Sequence, residues 1–212
     1  MIDVKQLTRE AENGDVESQF KLGALYYEGD IFSKDIEKGM YWLEKSAAAG
    51  NVNAMINVSL HWLYEVDDED KNRIGRLWGM AAAASGNSNG QFNYAVRLQN
   101  GDGGLADTRR AIRYYRLSAR QGNVDAKCNL AIALIEGDGV RQDVVKGIDL
   151  MNQALAQDNA AALYMGGVYL LQGDIFERDV ELAYEFLVEA SKEGYWLADE
   201  VLEDWDEYSA VS

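Results

Sequence analysis

Three asparagines stand at matching positions along the chain, because Asn57, Asn93 and Asn129 are separated by steps of 36 residues. An amide side chain both donates and accepts hydrogen bonds, so a row of amides can hold the backbone of an extended peptide. The same side chains can instead bond a neighbouring helix within the protein, and the sequence leaves both interpretations open. A polar or acidic residue stands four positions before each asparagine, and these residues are Asn53, Asn89 and Asp125.

Residues with catalytic or metal-binding chemistry are scarce. His61 is the only histidine and Cys128 the only cysteine, whereas nucleophilic catalysis commonly needs a serine or cysteine beside a histidine. A transition-metal site also needs more ligands of these types than the chain offers. We therefore predict no enzyme activity, no cofactor and no metal site. We expect His61 to be an ordinary helix residue and Cys128 to pack against or line the fold.

The composition narrows the class of protein. The chain has 212 residues, 48% of them hydrophobic, and no proline; because proline interrupts helices, its absence favours an all-helical protein. The net charge of −16 disfavours nucleic acid as a partner, since a phosphate backbone needs lysine and arginine. The sequence has no apolar leader and no run long enough to span a membrane. We therefore expect a cytoplasmic protein with no membrane partner.

A glycine-rich stretch, IEGDGVRQDVVKG, recurs along the chain. It lacks the GK[ST] of a phosphate loop and the distal glutamate of a calcium-binding hand, so it is typical of a turn. Its copies begin at Glu28, Asn100, Glu136 and Gln172, and a degenerate copy, YEVDDEDKNRIG, begins at Tyr64. A second marker keeps the same period at Gly14, Gly50, Gly86, Gly122, Asp158 and Gly194. Such a period predicts a solenoid of stacked repeats.

The apolar spacing within each repeat predicts two helices joined by the glycine turn. Gly29 ends the first helix of the first repeat, and Asp35 begins the second helix, where its side chain can accept backbone N–H bonds. We predict an all-α, α/α superhelical solenoid that forms one repeat domain over 1–212. Its predicted parts are an N-terminal cap helix at 1–14, repeats at 15–50, 51–86, 87–122, 123–158 and 159–194, and a C-terminal cap helix with an acidic tail at 195–212.

The repeat pattern resembles a known family. The first repeat carries Leu22, Gly23, Tyr26, Gly29, Asp35, Lys38, Trp42, Ala47 and Gly50 in the order that this family shows. The fourth repeat carries Ala126, Leu130, Gly137, Gly139, Val140, Asp143, Lys146 and Ala154. On these residues the chain resembles the Sel1-like repeat (SLR) family, relatives of the tetratricopeptide repeats. The second repeat departs from the pattern, because it loses the glycine turn.

The resemblance implies a groove lined by the first helices, in which a peptide or a partner protein binds. The residues expected to bind the partner are Asn57, Asn93, Asn129, Asn53, Asn89, Asp125, Tyr27, Tyr64, Gln99 and Tyr164. The function expected from it is a protein–protein interaction module, either an adaptor or a regulatory scaffold. The alternative is an acidic inhibitor, such as an immunity protein that neutralises a basic bacterial toxin or effector.

Charge is distributed unevenly along the chain. Residues 159–212 hold two basic and thirteen acidic side chains. If the partner is basic, we expect it to bind an acidic patch in this region. The candidate patch consists of Asp199, Glu200, Glu203, Asp204, Asp206 and Glu207. A row of arginines follows helical spacing at Arg109, Arg113, Arg116 and Arg120. The row is either a solvated surface bridged to acids such as Asp149 or a second contact patch, and the sequence leaves both open.

Overall fold

The structure, a computed structural model, describes the backbone of residues 3–210 and the side chains of all of these except 207, 209 and 210. Every regular element in this range is helical, with no strand, as predicted. The helices are α1 (Val4–Glu12), α2 (Val16–Glu28), α3 (Ile36–Ala48), α4 (Val52–Leu60), α5 (Glu69–Ala84), α6 (Ser88–Asn100), α7 (Thr108–Arg120), α8 (Val124–Glu136), α9 (Val144–Leu155), α10 (Ala160–Gln172), α11 (Val180–Lys192), α12 (Trp196–Glu203) and α13 (Trp205–Ala210).

Helices α2 to α11 form five successive helix–turn–helix units in chain order, with α1 before them and α12 after them. The described chain divides between Tyr114 and Tyr115 into two compact units. Their cores form because the small and apolar residues of each helix recur at helical spacing and meet those of the paired helix. In the first unit, buried core residues include Leu22, Met40, Leu43, Ala47 and Val58. In the second unit, they include Ala131, Met151, Ala162, Leu187 and Ala198.

The glycine turns have the predicted geometry. Gly137 has a φ of 79°, in the left-handed region that glycine enters without steric cost, and its N–H donates to the carbonyl of Ala133 at 2.9 Å. Asp158, which replaces the marker glycine of its repeat, also has a positive φ of 50°. The predicted aspartate caps are confirmed as well: the carboxylates of Asp35, Asp107, Asp143 and Asp179 accept backbone N–H bonds in the first turn of the second helices.

Asparagines cap the first helices of the last four repeats, and Asp15 caps that of the first repeat. The Asn51 side-chain oxygen accepts from the N–H of Ala54 at 2.9 Å, while its nitrogen donates to Glu17 of the preceding repeat at 3.2 Å. Asn159 repeats the arrangement with the N–H of Ala162, and its nitrogen donates to Asp125 at 2.7 Å. One amide therefore caps the N-terminus of its own helix and bonds the previous repeat.

A helix precedes the five pairs, and two short helices, α12 and α13, follow them where one cap helix was predicted. Leu7 and Ala11 are buried in α1, and Ala198 is buried in α12. Val201 is also buried, whereas Leu202 is half-buried. No helix within residues 3–210 is both long and apolar enough to cross a bilayer.

The second repeat departs from the regular pattern in its structure also. His61 was expected in the first helix of this repeat, but α4 ends at Leu60 and a π-helical segment, His61–Glu65, follows it. In the register of the repeats, the segment takes the place of the last turn of the first helix and of the first turn glycine, which are residues 97–101 in the third repeat and 133–137 in the fourth. Asp68 still caps the second helix by accepting from the N–H groups of Asp70 and Lys71. The repeat therefore keeps its two helices and changes the end of the first helix and the turn that follows it.

Candidate functional site

A cleft of about 310 Å³ opens beside the π-helical segment. Segments of this kind are frequent at functional sites, because the wider turn reorients the side chains that it carries. The cleft lies within the first unit and draws its lining from α2, α3, α4 and the π-helical segment. The lining residues are Tyr27, Glu28, Leu43, Asn57, Leu60, His61, Tyr64 and Glu65.

Three residues predicted to bind a partner meet in this cleft. Tyr27 comes from α2, Asn57 from α4 and Tyr64 from the π-helical segment. The structure therefore brings together positions that lie far apart in the sequence. We refer to this region as the second-repeat cleft.

His61 anchors one wall of the second-repeat cleft. The ring is only 7% exposed, and its Nδ1 lies 3.1 Å from the hydroxyl of Tyr27. Burial lowers the pKa of His61, although the carboxylates of Glu65 and Glu44 oppose the shift. The neutral ring therefore predominates at neutral pH. The histidine is a packed, hydrogen-bonded residue.

Tyr64 forms the outer wall and is 56% exposed. Its hydroxyl donates to Oδ2 of Asp102 at 2.5 Å, and Asp102 follows the end of α6. Burial of the hydroxyl, together with this hydrogen bond, raises the pKa of Tyr64 to about 12. The hydroxyl therefore stays protonated and tethered, while much of the ring remains open to a partner.

Arg97 lies buried near this tether and was missed by the sequence analysis. The side chain is 2% exposed, and neither its Nε nor its Nη2 has a hydrogen-bond partner among the described residues. Burial lowers the pKa of Arg97, and the nearby Tyr64 and Asp102 oppose the shift. The repeat register relates Arg97 to His61, which lies 36 residues earlier. The structure buries both side chains.

The asparagines at equivalent positions differ in their bonding. The amide of Asn57 makes no hydrogen bond with any described residue, whereas the amide of Asn93 donates to the carbonyl of Asn89 in its own helix at 2.9 Å. In the second unit, Asn129 is half-buried in α8. The bonding of Asn93 is within its helix, not to a neighbouring helix, so neither sequence-based interpretation describes it.

The remaining candidates are placed as follows. Asn53, Asn89 and Gln99 are exposed. Asp125 is exposed and bonded to Asn159. The Tyr164 ring packs against that of Tyr195, with centroids 5.1 Å apart.

The acidic patch is exposed along the last two helices. Asp199 accepts a hydrogen bond from the hydroxyl of Ser191 at 2.5 Å. The side chain of Glu207 lies outside the described residues. The exposed members of the patch are Asp199, Glu200, Glu203, Asp204 and Asp206.

Cys128 is fully buried in α8, as a packing residue would be. Burial raises the pKa of its thiol to about 12, so the thiol stays protonated and is a poor nucleophile. Across the described side chains, no three histidine, cysteine or carboxylate groups converge as the ligands of a metal ion would.

Comparison with known proteins agrees with this architecture. The profile of a family described as Sel1 repeat matches residues 16–51, 88–123, 124–159 and 160–195. The matched segments leave out residues 52–87, which hold α4, the π-helical segment and α5. No curated protein matches the chain.

Three solved structures share the fold. A Sel1 repeat protein from Oxalobacter formigenes has a TM-score of 0.79 at 24% identity, over 89% of this chain and 78% of that one. A protective antigen of uropathogenic Escherichia coli, which displays an SLR fold, has a TM-score of 0.77 at 24% identity, over 92% of this chain and 42% of the antigen. A protein of Klebsiella pneumoniae subsp. pneumoniae described as a Sel1 repeat protein has a TM-score of 0.57 at 23% identity, over 96% and 98%. At these identities the likeness concerns the fold alone.

Proposed function

The chain belongs to the Sel1 repeat family, whose members generally serve as protein–protein interaction scaffolds, and we propose that it holds a segment of a partner protein in the second-repeat cleft. The observation that carries the proposal is the convergence of Tyr27, Asn57 and Tyr64 in one cleft, where the Asn57 amide has no partner among the described residues. Because Sel1 repeat proteins are typically non-catalytic, the proposed role is binding, as an adaptor or a regulatory scaffold.

The cleft supports binding to an extended backbone. The Asn57 amide supplies a donor and an acceptor that a peptide group can satisfy together. Leu60 and Tyr64 are 37% and 56% exposed, so they offer apolar area to a side chain of the partner. The buried Leu43 forms the floor. A segment with an apolar or aromatic residue at its centre fits these three surfaces.

The rim of the cleft supports a basic residue in the same segment. Glu28 and Glu65 both line the cleft and are exposed. Neither forms an ion pair with the described residues. Their charges also lie in a chain of net charge −16, which favours the approach of a basic segment. The proposed ligand is therefore a short extended segment that carries an apolar side chain beside lysine or arginine.

A displayed library of random short peptides, selected on the immobilised full chain, tests this function. We expect the selected peptides to share an aromatic or aliphatic residue next to a basic one. Titration of a selected peptide should then give a dissociation constant in the micromolar range, about −8 kcal/mol. A selection that enriches no basic–apolar motif would contradict the proposed ligand.

Matched variants locate the binding site. Tyr64→Ala should weaken the selected peptide about tenfold, whereas Tyr41→Ala removes a similarly exposed tyrosine outside the cleft and should leave the affinity unchanged. Asn57→Ala should also weaken binding, whereas Asn93→Ala removes an amide already bonded in its own helix. Equal effects of Asn57→Ala and Asn93→Ala would place the peptide elsewhere.

A second candidate function follows from the acidic patch on α12 and α13. Its exposed carboxylates support an inhibitor that covers a basic surface, such as that of a bacterial toxin or effector. Association with a captured basic partner should slow markedly from about 50 to about 300 mM salt, because steering between charges is screened. Replacing Asp199, Glu200 and Glu203 by their amides should slow association in the same way. An association rate that is independent of salt excludes this role.

A further inference from the structure

Four basic side chains line one cleft in the second unit. Arg116 and Arg120 come from α7, Lys127 from α8 and Lys146 from α9, and the cleft has a volume of about 430 Å³. Residues 115–212 contain only seven basic side chains against nineteen acidic ones. More than half of the cations of this unit therefore meet in a single place. We call it the basic cleft.

None of the four cations forms an ion pair with a described residue, although acids surround them in the sequence. Lys146 shows that the absence of an ion pair does not follow from the sequence alone. In the first repeat the equivalent lysine, Lys38, pairs with its capping aspartate, Asp35, at 3.4 Å. The fourth repeat has the same aspartate–lysine spacing, with Asp143 as the cap, but Lys146 lines the basic cleft instead of pairing with it.

The acid expected to bridge the arginine row is engaged elsewhere. Asp149 accepts a hydrogen bond from Gln153 at 3.0 Å, and neither Arg116 nor Arg120 pairs with it. Of the two interpretations of the row, the bridge to Asp149 is therefore wrong. Both arginines remain available to a ligand at the side of the cleft.

The floor of the basic cleft is apolar. Leu130 and Leu134 of α8 line it and are 5% and 4% exposed. A ligand that carried charge alone would leave this floor without a contact. Carboxylates at the rim with an aliphatic or aromatic side chain between them satisfy both parts of the cleft.

We propose that the basic cleft binds an acidic segment of a partner protein, in which aspartate or glutamate flanks an apolar residue. Charge complementarity is local here, since the rest of the unit is strongly acidic. A nucleic acid would extend beyond the cleft and carry its phosphates past these acids, which repel it. A short peptide confines its negative charge to the four cations. This site is independent of the second-repeat cleft, because it has the opposite charge and recognises the opposite ligand.

Titration of the isotope-labelled full chain with peptide pools tests the proposal. The probe is a pool of short random peptides built from glutamate, aspartate, leucine, phenylalanine and glycine. The comparison pool replaces the acids with lysine and arginine. We expect the acidic pool to shift the NMR signals of the Arg116 and Arg120 Nε–H groups saturably, and to leave that of Arg141, which does not line the cleft, in place. The basic pool should shift none of the three.

Variants and a competing ligand decide the outcome. The double variant Arg116→Glu with Lys127→Glu should weaken the acidic pool at least about tenfold, whereas Arg113→Glu, on the same helix but outside the cleft lining, should change affinity by less than about twofold. If the double variant fails to fold, the wild-type affinity must still fall steeply with salt. Absence of saturable shifts overturns the proposal. So does tighter binding of oligothymidylate than of the acidic pool, or self-association that the charge reversal abolishes, because these results identify a phosphate site or a second copy as the occupant.

Discussion

The second and fourth repeats each pair two helices, and they differ in the end of the first helix and in the turn that follows it. In the fourth repeat, Gly137 ends α8 in the left-handed region and the chain enters α9 through the cap of Asp143. In the second repeat, α4 runs into the π-helical segment His61–Glu65, and Asp68 begins α5. The helix cap is thus retained where the glycine turn is lost. The connection can vary without loss of the helix pair, and the second-repeat cleft lies beside the altered connection.

Packing between the two helices is the first place to test this comparison. Gly147 and Gly75 occupy equivalent positions in the second helices of the two repeats. At Gly147, an added Cβ would lie 2.6 Å from Cγ1 of Ile135. At Gly75, it would lie 2.8 Å from Cγ of Leu63. Ile135 belongs to a regular helix, whereas Leu63 belongs to the π-helical segment.

We expect Gly147→Val to lower the free energy of unfolding by about 3 kcal/mol, because overpacking displaces a regular helix. Gly75→Val should cost about 1 kcal/mol less, because the irregular segment can move away from the added methyl groups. Chemical denaturation of both variants measures the difference. Equal losses would show that the π-helical segment resists displacement as firmly as a regular helix does.

Arg97 of α6 lies buried near Tyr64 of the π-helical segment and provides the second test. The equivalent residue in the fourth repeat is Ala133. We expect Arg97→Met to raise the free energy of unfolding by about 1 to 2 kcal/mol, because a buried cation with unpaired N–H groups is replaced by an apolar side chain of similar length. Arg113→Met, at an exposed arginine, should change it by less than about 0.5 kcal/mol. A loss of stability in Arg97→Met would mean that attraction to Asp102 outweighs the cost of burial.

The aspartate caps of α5 and α9 should contribute equally to stability, although the connections that precede these helices differ. We expect Asp68→Ala and Asp143→Ala each to lower the free energy of unfolding by about 1 kcal/mol, because each frees backbone N–H groups in the first turn. Thermal melts of the two variants measure this. A negligible effect at Asp68 alone would show that the irregular connection does not rely on its cap.

The smallest expected effect concerns pH and belongs to the second repeat alone, because His61 is the only histidine. Burial lowers the pKa of His61 in the folded protein, while the unfolded chain keeps a value of about 6.5. The unfolded state therefore binds the proton more readily, and stability should fall as the pH drops from about 7 through 6.5 toward the folded pKa. His61→Gln should flatten this part of the profile. An unchanged slope in that variant would exclude His61 as its source.

The regular parts of the fold were predictable from the sequence because their signals are local. A glycine that must adopt a positive φ and an aspartate three residues before a free N–H identify the turn of the fourth repeat without any tertiary information. The π-helical segment has no such signal, since its sequence, HWLYE, contains neither a glycine nor an aspartate. Its His61 packs against Tyr27 of the first repeat, a contact that the local sequence does not encode.

The candidate site was predictable only in part. The repeat register placed Tyr27, Asn57 and Tyr64 among the candidates, and the structure brings these three together. The register could not reveal that Asn93 bonds Asn89, because the choice depends on a side-chain rotamer. Nor could it reveal that Lys146 leaves its capping aspartate. The repeat register placed Arg97 at a position equivalent to His61. It could not show that the charged end of Arg97 is buried as well, because a long charged side chain can also extend into solvent.

The double role of the capping asparagines has a consequence for cooperativity. Asn51 caps the N-terminus of its own helix and bonds Glu17 of the preceding repeat, and Asn159 does the same with Asp125. When the preceding repeat unfolds, the amide loses that partner and the next helix loses support at its first turn. Nearest-neighbour coupling of this kind makes adjacent repeats open together. Hydrogen exchange at the N–H groups of Ala54 and Ala162 should therefore report the opening of the repeat before each of them, as well as of their own.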